Sequence, residues 1–373
     1  MVDPRLPSRR VDGLEFSFVA VILGILSIGL LSIYSVTSLT PPQGMPIFFK
    51  QLTWIGVGTL AFFVMASVDY HKWARLSYVL YGLGLVLLLI VMFYGKSSRG
   101  AQRWIPLGPL AIQPSEFIKV PLILILSAYY GTRTRHGWWA RVIVPGLIAL
   151  PGFLLILKQP DLGSSLSFLA IFCTLLLAVG VKSKAFGLVL LSALMIFPFA
   201  WGELWGSLHD YQKERILSFV DPAYDPGGKG YHGLQSRIAI GSGEILGKGL
   251  HGGTQTQFKF LPEGHTDFVF AVFAEEWGFL GALLLFALFL ALFLLGLEIA
   301  SKSKDVLGGL LAVGVVGMLT FAMVVNIAMT VGLAPIVGIP LPLMSYGGSA
   351  TVVTMASLGL LMSVKRRRMT LLP

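Results

Sequence analysis

Three carboxylates stand where long apolar runs begin: Glu116 in QPSEFIK (113–119), Asp161 in KQPDLGSS (158–165) and Asp267 in LPEGHTDFVFAVFAEEWG (261–278). A single carboxylate at the mouth of a cavity can take a proton from a hydroxyl as a general base. Glu116 and Lys119 are three residues apart, so on a helix they share a face and can pair. Asp161, directly before LGSS, suits a helix N-cap. Arg99 and Arg103, in KSSRGAQRW (96–104), carry forked donors that match phosphate oxygens better than a lysine does. Together these groups suit an amphiphilic substrate with its tail between helices and its anionic head on Lys119, Arg103 and Arg99.

Each residue also has an ordinary structural reading. Glu116 with Lys119 can be a plain ion pair, and Asp161 or Asp267 a plain helix start. Glu275 and Glu276 lie about 80° and 180° around an ideal helix from Asp267, so packing and chemistry both stay open for them. Glu263 reads as a solvated loop residue and His265 as a surface histidine. Ionisable groups converging at one level of a membrane point to a functional site.

The chain around them is 373 residues long, 55% hydrophobic and 12% charged, with a mean hydropathy of +0.80. Soluble proteins carry about 25% charged residues. Apolar blocks long enough for bilayer-spanning helices, at about 20 residues each, fall at 16–38, 50–68, 76–95, 114–130, 141–157, 162–180, 184–201, 266–298, 306–333 and 344–364. The expected fold is all-α: a polytopic membrane protein of about ten transmembrane helices, one domain over 1–373. A polar, Gly-rich extracytoplasmic loop at about 202–265 precedes the eighth span. Ten spans put both termini on one side, and the bias of Lys and Arg makes that side cytoplasmic. The segment from Thr266 to Glu298 is too long for one straight span at 1.5 Å per residue; WGFLG (277–281) marks the expected break.

Other classes drop out. The net charge of +10 is spread over short loops and chain ends, so no nucleic-acid surface is expected. Cys173 is the only cysteine, which excludes a disulfide within the chain. There is no Walker loop, GxGxxG or HExxH to signal ATP, dinucleotide or zinc chemistry. A flippase for lipid-linked precursors remains the alternative, but its sites belong near the bilayer midplane. A non-enzymatic scaffold needs no converging carboxylates.

Several long stretches resemble one family. GAQRWIPLG (100–108), QPSEFIK, KQPDLGSS, DPGGKGYHGLQSRIAIGSG (225–243), GKGLHGGTQTQFKFLPEGHTDFVFAVFAEEWG (247–278) and VGIPLPLMSYGGS (337–349) are similar, in order, to the SEDS family of shape, elongation, division and sporulation proteins. GTQTQ with LPEGHTDF, and the short C-terminal tail, look more like its elongation branch than its division branch. The resemblance implies a peptidoglycan glycosyltransferase that polymerises lipid II at the outer face of the cytoplasmic (inner) membrane. It also implies a class B penicillin-binding protein and other elongation-complex proteins as partners. The family's catalytic aspartate falls on Asp267, and its glutamate, lysine and second aspartate fall on Glu116, Lys119 and Asp161. Glu244 departs from the pattern, where a glycine is expected. No cofactor is required by any motif. A divalent cation (Mg2+ or Mn2+) is one candidate, beside Lys119 and Arg103, for stabilising the diphosphate, and Glu116 could help to hold it; the metal itself is unknown.

Overall fold

The computed structural model describes residues 13–38, 44–98, 101–107, 110–131, 137–180, 229–258, 260, 261 and 263–368, with 206, 213, 217–219 and 221 between them. Nine of the ten expected spans are helical within these residues, and 184–201 lies outside them. In chain order the helices are α1 (Gly13–Ser38), α2 (Gly44–Ser67), α3 (Tyr70–Tyr94), α4 (Pro114–Phe117), α5 (Lys119–Gly131), α6 (Trp138–Lys158) and α7 (Leu162–Ala178). Then come α8 (Lys229–Ser242) and α9 (Thr254–Gln257) from the expected outer loop, and α10 (Val269–Ser301), α11 (Val306–Thr330) and α12 (Gly348–Arg368). Seven are long and apolar enough to cross a bilayer, and α7 is a shorter apolar helix. The chain is an all-α, multi-pass membrane protein.

One element departs from that class. The basic stretch expected as a loop forms a small antiparallel sheet in the order β1 (Lys96–Ser98), β2 (Ala101–Leu107), β3 (Leu110–Ile112). Lys96 pairs with Trp104 and Ile105 with Ile112, so the sheet folds the chain back before α4.

Burial ranks the helices. α12 is 89% buried over its most apolar window, whereas the windows of α2, α3 and α6 are each 22% buried. α12 is therefore the central helix and the others present broad faces to lipid. It packs along α2, where a side chain at Gly359 would meet the carbonyl oxygen of Phe62 at 2.3 Å. Lipid supplies no hydrophobic force between helices, so close backbone approach at small residues does this work.

At one end of the bundle, polar groups tie three helix ends together. His71 contacts Asp69 through Nδ1 at 2.9 Å and Asp305 through Nε2 at 2.7 Å, and Tyr70 Oη donates to Asp305 at 3.1 Å. Arg367, on the last turn of α12, lies 3.5 Å from Asp69. Asp69 and Asp305 also cap α3 and α11 through the backbone N–H groups of His71 and Gly308. The polar first turn this creates lets α3 begin at Tyr70, six residues ahead of its apolar block.

α10 breaks where its sequence suggests. Gly278 has φ 62° and ψ −162°, a region open essentially to glycine alone. The segment 244–249 crosses the break and satisfies the backbone groups it frees: Phe279 and Leu280 N–H donate to Glu244 and Ile245, and Lys248 and Gly249 N–H donate to Glu275 and Glu276. The same clasp explains both glutamates. Glu275 Oε1 accepts from Lys248 Nζ (2.7 Å), Thr254 Oγ1 (3.0 Å) and Gln255 N–H (3.2 Å). Glu276 Oε1 accepts from Ser35 Oγ and His251 N–H.

A Cβ at Gly278 would also lie 2.3 Å from the Gly247 nitrogen. Gly278→Ala is therefore expected to cost at least about 1–3 kcal/mol, read as a lower melting temperature in detergent. Gly82→Ala, where nothing among the described residues lies within 4 Å of the new atom, should be neutral or stabilising by up to about 1 kcal/mol. Equal melting temperatures for the two variants would refute the clasp.

Candidate functional site

The site starts with a broken helix. Pro114 opens α4 at its first position, where a missing N–H costs nothing. Pro121, three residues further than Ile118, lacks the N–H that would bond the Phe117 carbonyl, and the chain turns between Phe117 and Lys119. Gln113 N–H is capped from α12 by Ser349 Oγ at 2.9 Å. The turn holds Glu116 and Lys119 inward, 8% and 5% exposed.

Lys119 Nζ donates to Glu116 Oε1 at 2.5 Å, and Ser164 Oγ on α7 donates to the same oxygen at 3.3 Å. Both residues line a recess of about 480 Å3, counting its open mouth, with Ser167, Met318 and the loop Ile339–Leu343. Ser345, Thr351 and Thr354 also line it. The recess thus combines a desolvated ammonium–carboxylate pair with apolar surface.

Asp161 sits behind this pair and does not line the recess. It caps α7 by accepting from Ser164 N–H at 3.2 Å, and its other oxygen accepts from Ser115 Oγ and Gln113 Nε2, both at 2.9 Å. Burial alone would raise its carboxyl pKa, but the Arg103 charge and the Ser164 and Ser115 bonds outweigh it and hold the pKa below the ordinary value. Asp161 is a fully engaged carboxylate.

Arg103, on β2, donates from Nε to Gln159 O at 3.1 Å and from Nη2 to Pro160 O, with Nη1 3.8 Å from Asp161. Its guanidinium closes the turn between α6 and α7. Any contact with a diphosphate has to share the fork with these oxygens. Arg99 lies outside the described residues.

Asp267 lies in the turn that precedes α10. Its Oδ2 would be 3.6 Å from a Cβ at Gly338, and the neighbouring Ile339 lines the recess. The carboxylate therefore abuts the recess loop from the α10 side rather than meeting Glu116 within the recess. Tyr346 N–H donates to His265 O at 2.8 Å and the two rings pack at 5.7 Å. Glu263 accepts from Thr266 Oγ1 at 2.9 Å.

A family profile for FtsW/RodA/SpoVE cell cycle proteins matches residues 15–370. The chain belongs to that family. It is 36% identical over 358 residues to the peptidoglycan glycosyltransferase MrdB of Escherichia coli K12, covering 95% of this chain and 94% of that protein. A solved chain from a peptidoglycan synthase complex that coordinates polymerization and crosslinking superposes with a TM-score of 0.81 at 32% identity, over 95% of this chain and 98% of that one. The Thermus thermophilus rod shape determining protein RodA gives 0.70 at 29% identity, over 95% and 97%.

Within this family member, some site residues escape a reading of charged motifs. Gln113, Ser115 and Ser164 join Glu116 to Asp161, and Asn326 on α11 reaches the Asp267 backbone. Asn326 is the chain's only asparagine, a signal visible in the sequence. Among the described residues no three His, Cys, Asp or Glu side chains group as a metal site. Glu116 is bonded to Lys119, and Asp161 lies 3.8 Å from Arg103 Nη1.

Arg103→Ala is expected to lower the melting temperature, because it strands the Gln159 and Pro160 carbonyls and leaves Asp161 less compensated, at about 1–3 kcal/mol for such losses. Arg103→Lys should recover only part, since a point charge cannot fork. If instead both variants melt like the unmodified protein and only the substrate KM rises, Arg103 works on substrate and not on the turn.

Proposed function

We propose that this chain is a peptidoglycan glycosyltransferase that polymerises lipid II into glycan strands at the outer face of the bacterial cytoplasmic membrane during cell elongation. The family membership and the naming of its relatives support the activity. The observation that carries the chemistry is the recess itself: a buried Glu116–Lys119 pair, 2.5 Å apart, in an apolar pocket whose loop is flanked by Asp267.

Asp267 acts as general base on the 4-hydroxyl of the acceptor sugar, which attacks C1 of the donor with inversion. The new bond is C1–O4, and the broken one is C1 to the diphosphate oxygen. The proton passes to the Asp267 carboxylate, and negative charge grows on the departing undecaprenyl diphosphate. Lys119, oriented by Glu116, meets that charge in a water-poor site, where a fixed donor acts most strongly. Arg103 and Asp161 hold the turn that presents Ser164 to Glu116, and the placement favours this supporting part over direct substrate contact.

In this reading both termini are cytoplasmic, and the partner is a class B penicillin-binding protein within a larger elongation complex. The related synthase complex that couples polymerization to crosslinking supports that pairing. The test uses labelled lipid II and the purified chain with its transpeptidase partner in detergent, where there are no leaflets to cross. Glycan polymer is expected. No polymer in detergent, together with transfer of lipid II across vesicle leaflets, would make the chain a flippase.

A further inference from the structure

Asn326 stands one turn before the end of α11 and is 0% exposed. An amide buried among apolar side chains is costly unless bonded. Its Nδ2 donates twice, to Ile339 O at 2.8 Å and to Asp267 O at 3.1 Å. Both partners are carbonyl oxygens, which only accept, so the chemistry fixes which end of the amide faces them. Among the described residues its Oδ1 has no hydrogen-bond partner. The position thus tolerates an orphaned acceptor, which a leucine of similar shape would avoid. The two donated bonds are what the asparagine adds.

Those bonds join two particular segments. Asp267 O belongs to the turn carrying the carboxylate, and Ile339 O belongs to the loop that walls the recess. Between them Gly338 holds φ +75°, with Asp267 Oδ2 against it. One side chain therefore sets the separation between the carboxylate's backbone and the wall it faces.

We infer that Asn326 is a positioning residue for Asp267, aligning the base with the recess through its own backbone carbonyl without touching substrate. This rests on the reading of Asp267 as general base. A misplacement near 1 Å costs a rate of about 100-fold, and the loss should fall on kcat, because the Glu116–Lys119 pair that meets the diphosphate stays in place.

The experiment measures initial rates across lipid II concentrations for the chain with its transpeptidase partner. The variants are Asn326→Leu, Asn326→Gln, Asp267→Asn and the double variant Asp267→Asn/Asn326→Leu, each checked for monodispersity and melting temperature. Asn326→Leu should still fold but melt lower than the unmodified protein, because it strands the Ile339 and Asp267 carbonyls, and should lose about 100-fold in kcat while keeping KM within about twofold. Asn326→Gln, which keeps both donors on a longer arm, should recover part of the rate. The double variant should be no worse than Asp267→Asn, since groups acting as a unit are not additive.

Three outcomes overturn the proposal: kcat within about twofold for a folded Asn326→Leu, a loss confined to KM, or a further loss in the double variant. If Asn326→Leu does not fold, Asn326→Gln decides by the same split between kcat and KM. If Asp267→Asn polymerises normally, it is the general-base reading that fails. If Asp267→Asn is inactive and Asn326→Leu is normal, only the positioning role fails.

Discussion

Lys119→Ala is expected to lower polymerisation by about 100- to 1000-fold, the range for removing one preorganised donor from a developing anion. The reason is placement. Lys119 is only 5% exposed and lines the recess, so its charge is poorly solvated and acts strongly on an anion beside it. Glu116→Ala should fall nearly as far for a different reason. It leaves Lys119 as an uncompensated buried charge, and breaking one side of such a pair costs about 3–5 kcal/mol. The melting temperature separates the two causes. Glu116→Ala should melt lower than Lys119→Ala, because Ser164 Oγ still donates to Glu116 when the lysine is gone. The double variant should regain stability and stay inactive. If it regains activity, the pair is structural and the assignment of Lys119 to the diphosphate fails.

Asp267→Asn is expected to lose about 100- to 10,000-fold in rate, the usual contribution of a general base, while keeping its fold. The side chain is half-buried at the rim of the recess loop, and an amide of the same shape preserves its packing, so stability should move by no more than about 0.5 kcal/mol. Asp267→Glu retains a base but carries it one methylene further, against Gly338, and should keep a small measurable rate. KM for lipid II should stay close to that of the unmodified protein in both. An inactive Asp267→Asn that also melts far lower would make Asp267 a folding residue instead.

The helices were legible because long apolar runs admit few other structures in a membrane protein. Their ends were less so. α3 starts at Tyr70 because Asp69 caps a turn that also carries His71, Lys72 and Arg75, and no hydropathy window would include those residues. The sheet at 96–112 depends on pairings such as Lys96 with Trp104, which composition does not announce. In the site, the Glu116–Lys119 pair follows from a three-residue spacing that survives the break between α4 and α5, the Asp161 cap follows from its place before LGSS, and the break at Gly278 follows from WGFLG. Arg103 was harder. Its fork reads as a phosphate clamp in the sequence, yet it meets carbonyls 56 and 57 residues away. Glu275 and Glu276 were ambiguous for the same reason, since the loop that engages them is distant along the chain. Asn326 was visible as a lone amide, but its partners are backbone oxygens 59 and 13 residues off, and no side-chain pattern points to them.

The central claim is that Asp267 performs the chemistry beside a recess that holds the lipid-linked diphosphate through Lys119. Its most direct test measures binding and turnover of labelled lipid II in the same purified preparations, the unmodified chain and Asp267→Asn, each with the transpeptidase partner. The account predicts equal lipid II affinity for both, with a polymerisation rate about 100- to 10,000-fold lower for Asp267→Asn than for the unmodified chain. Polymer from Asp267→Asn at a rate close to that of the unmodified chain would contradict it.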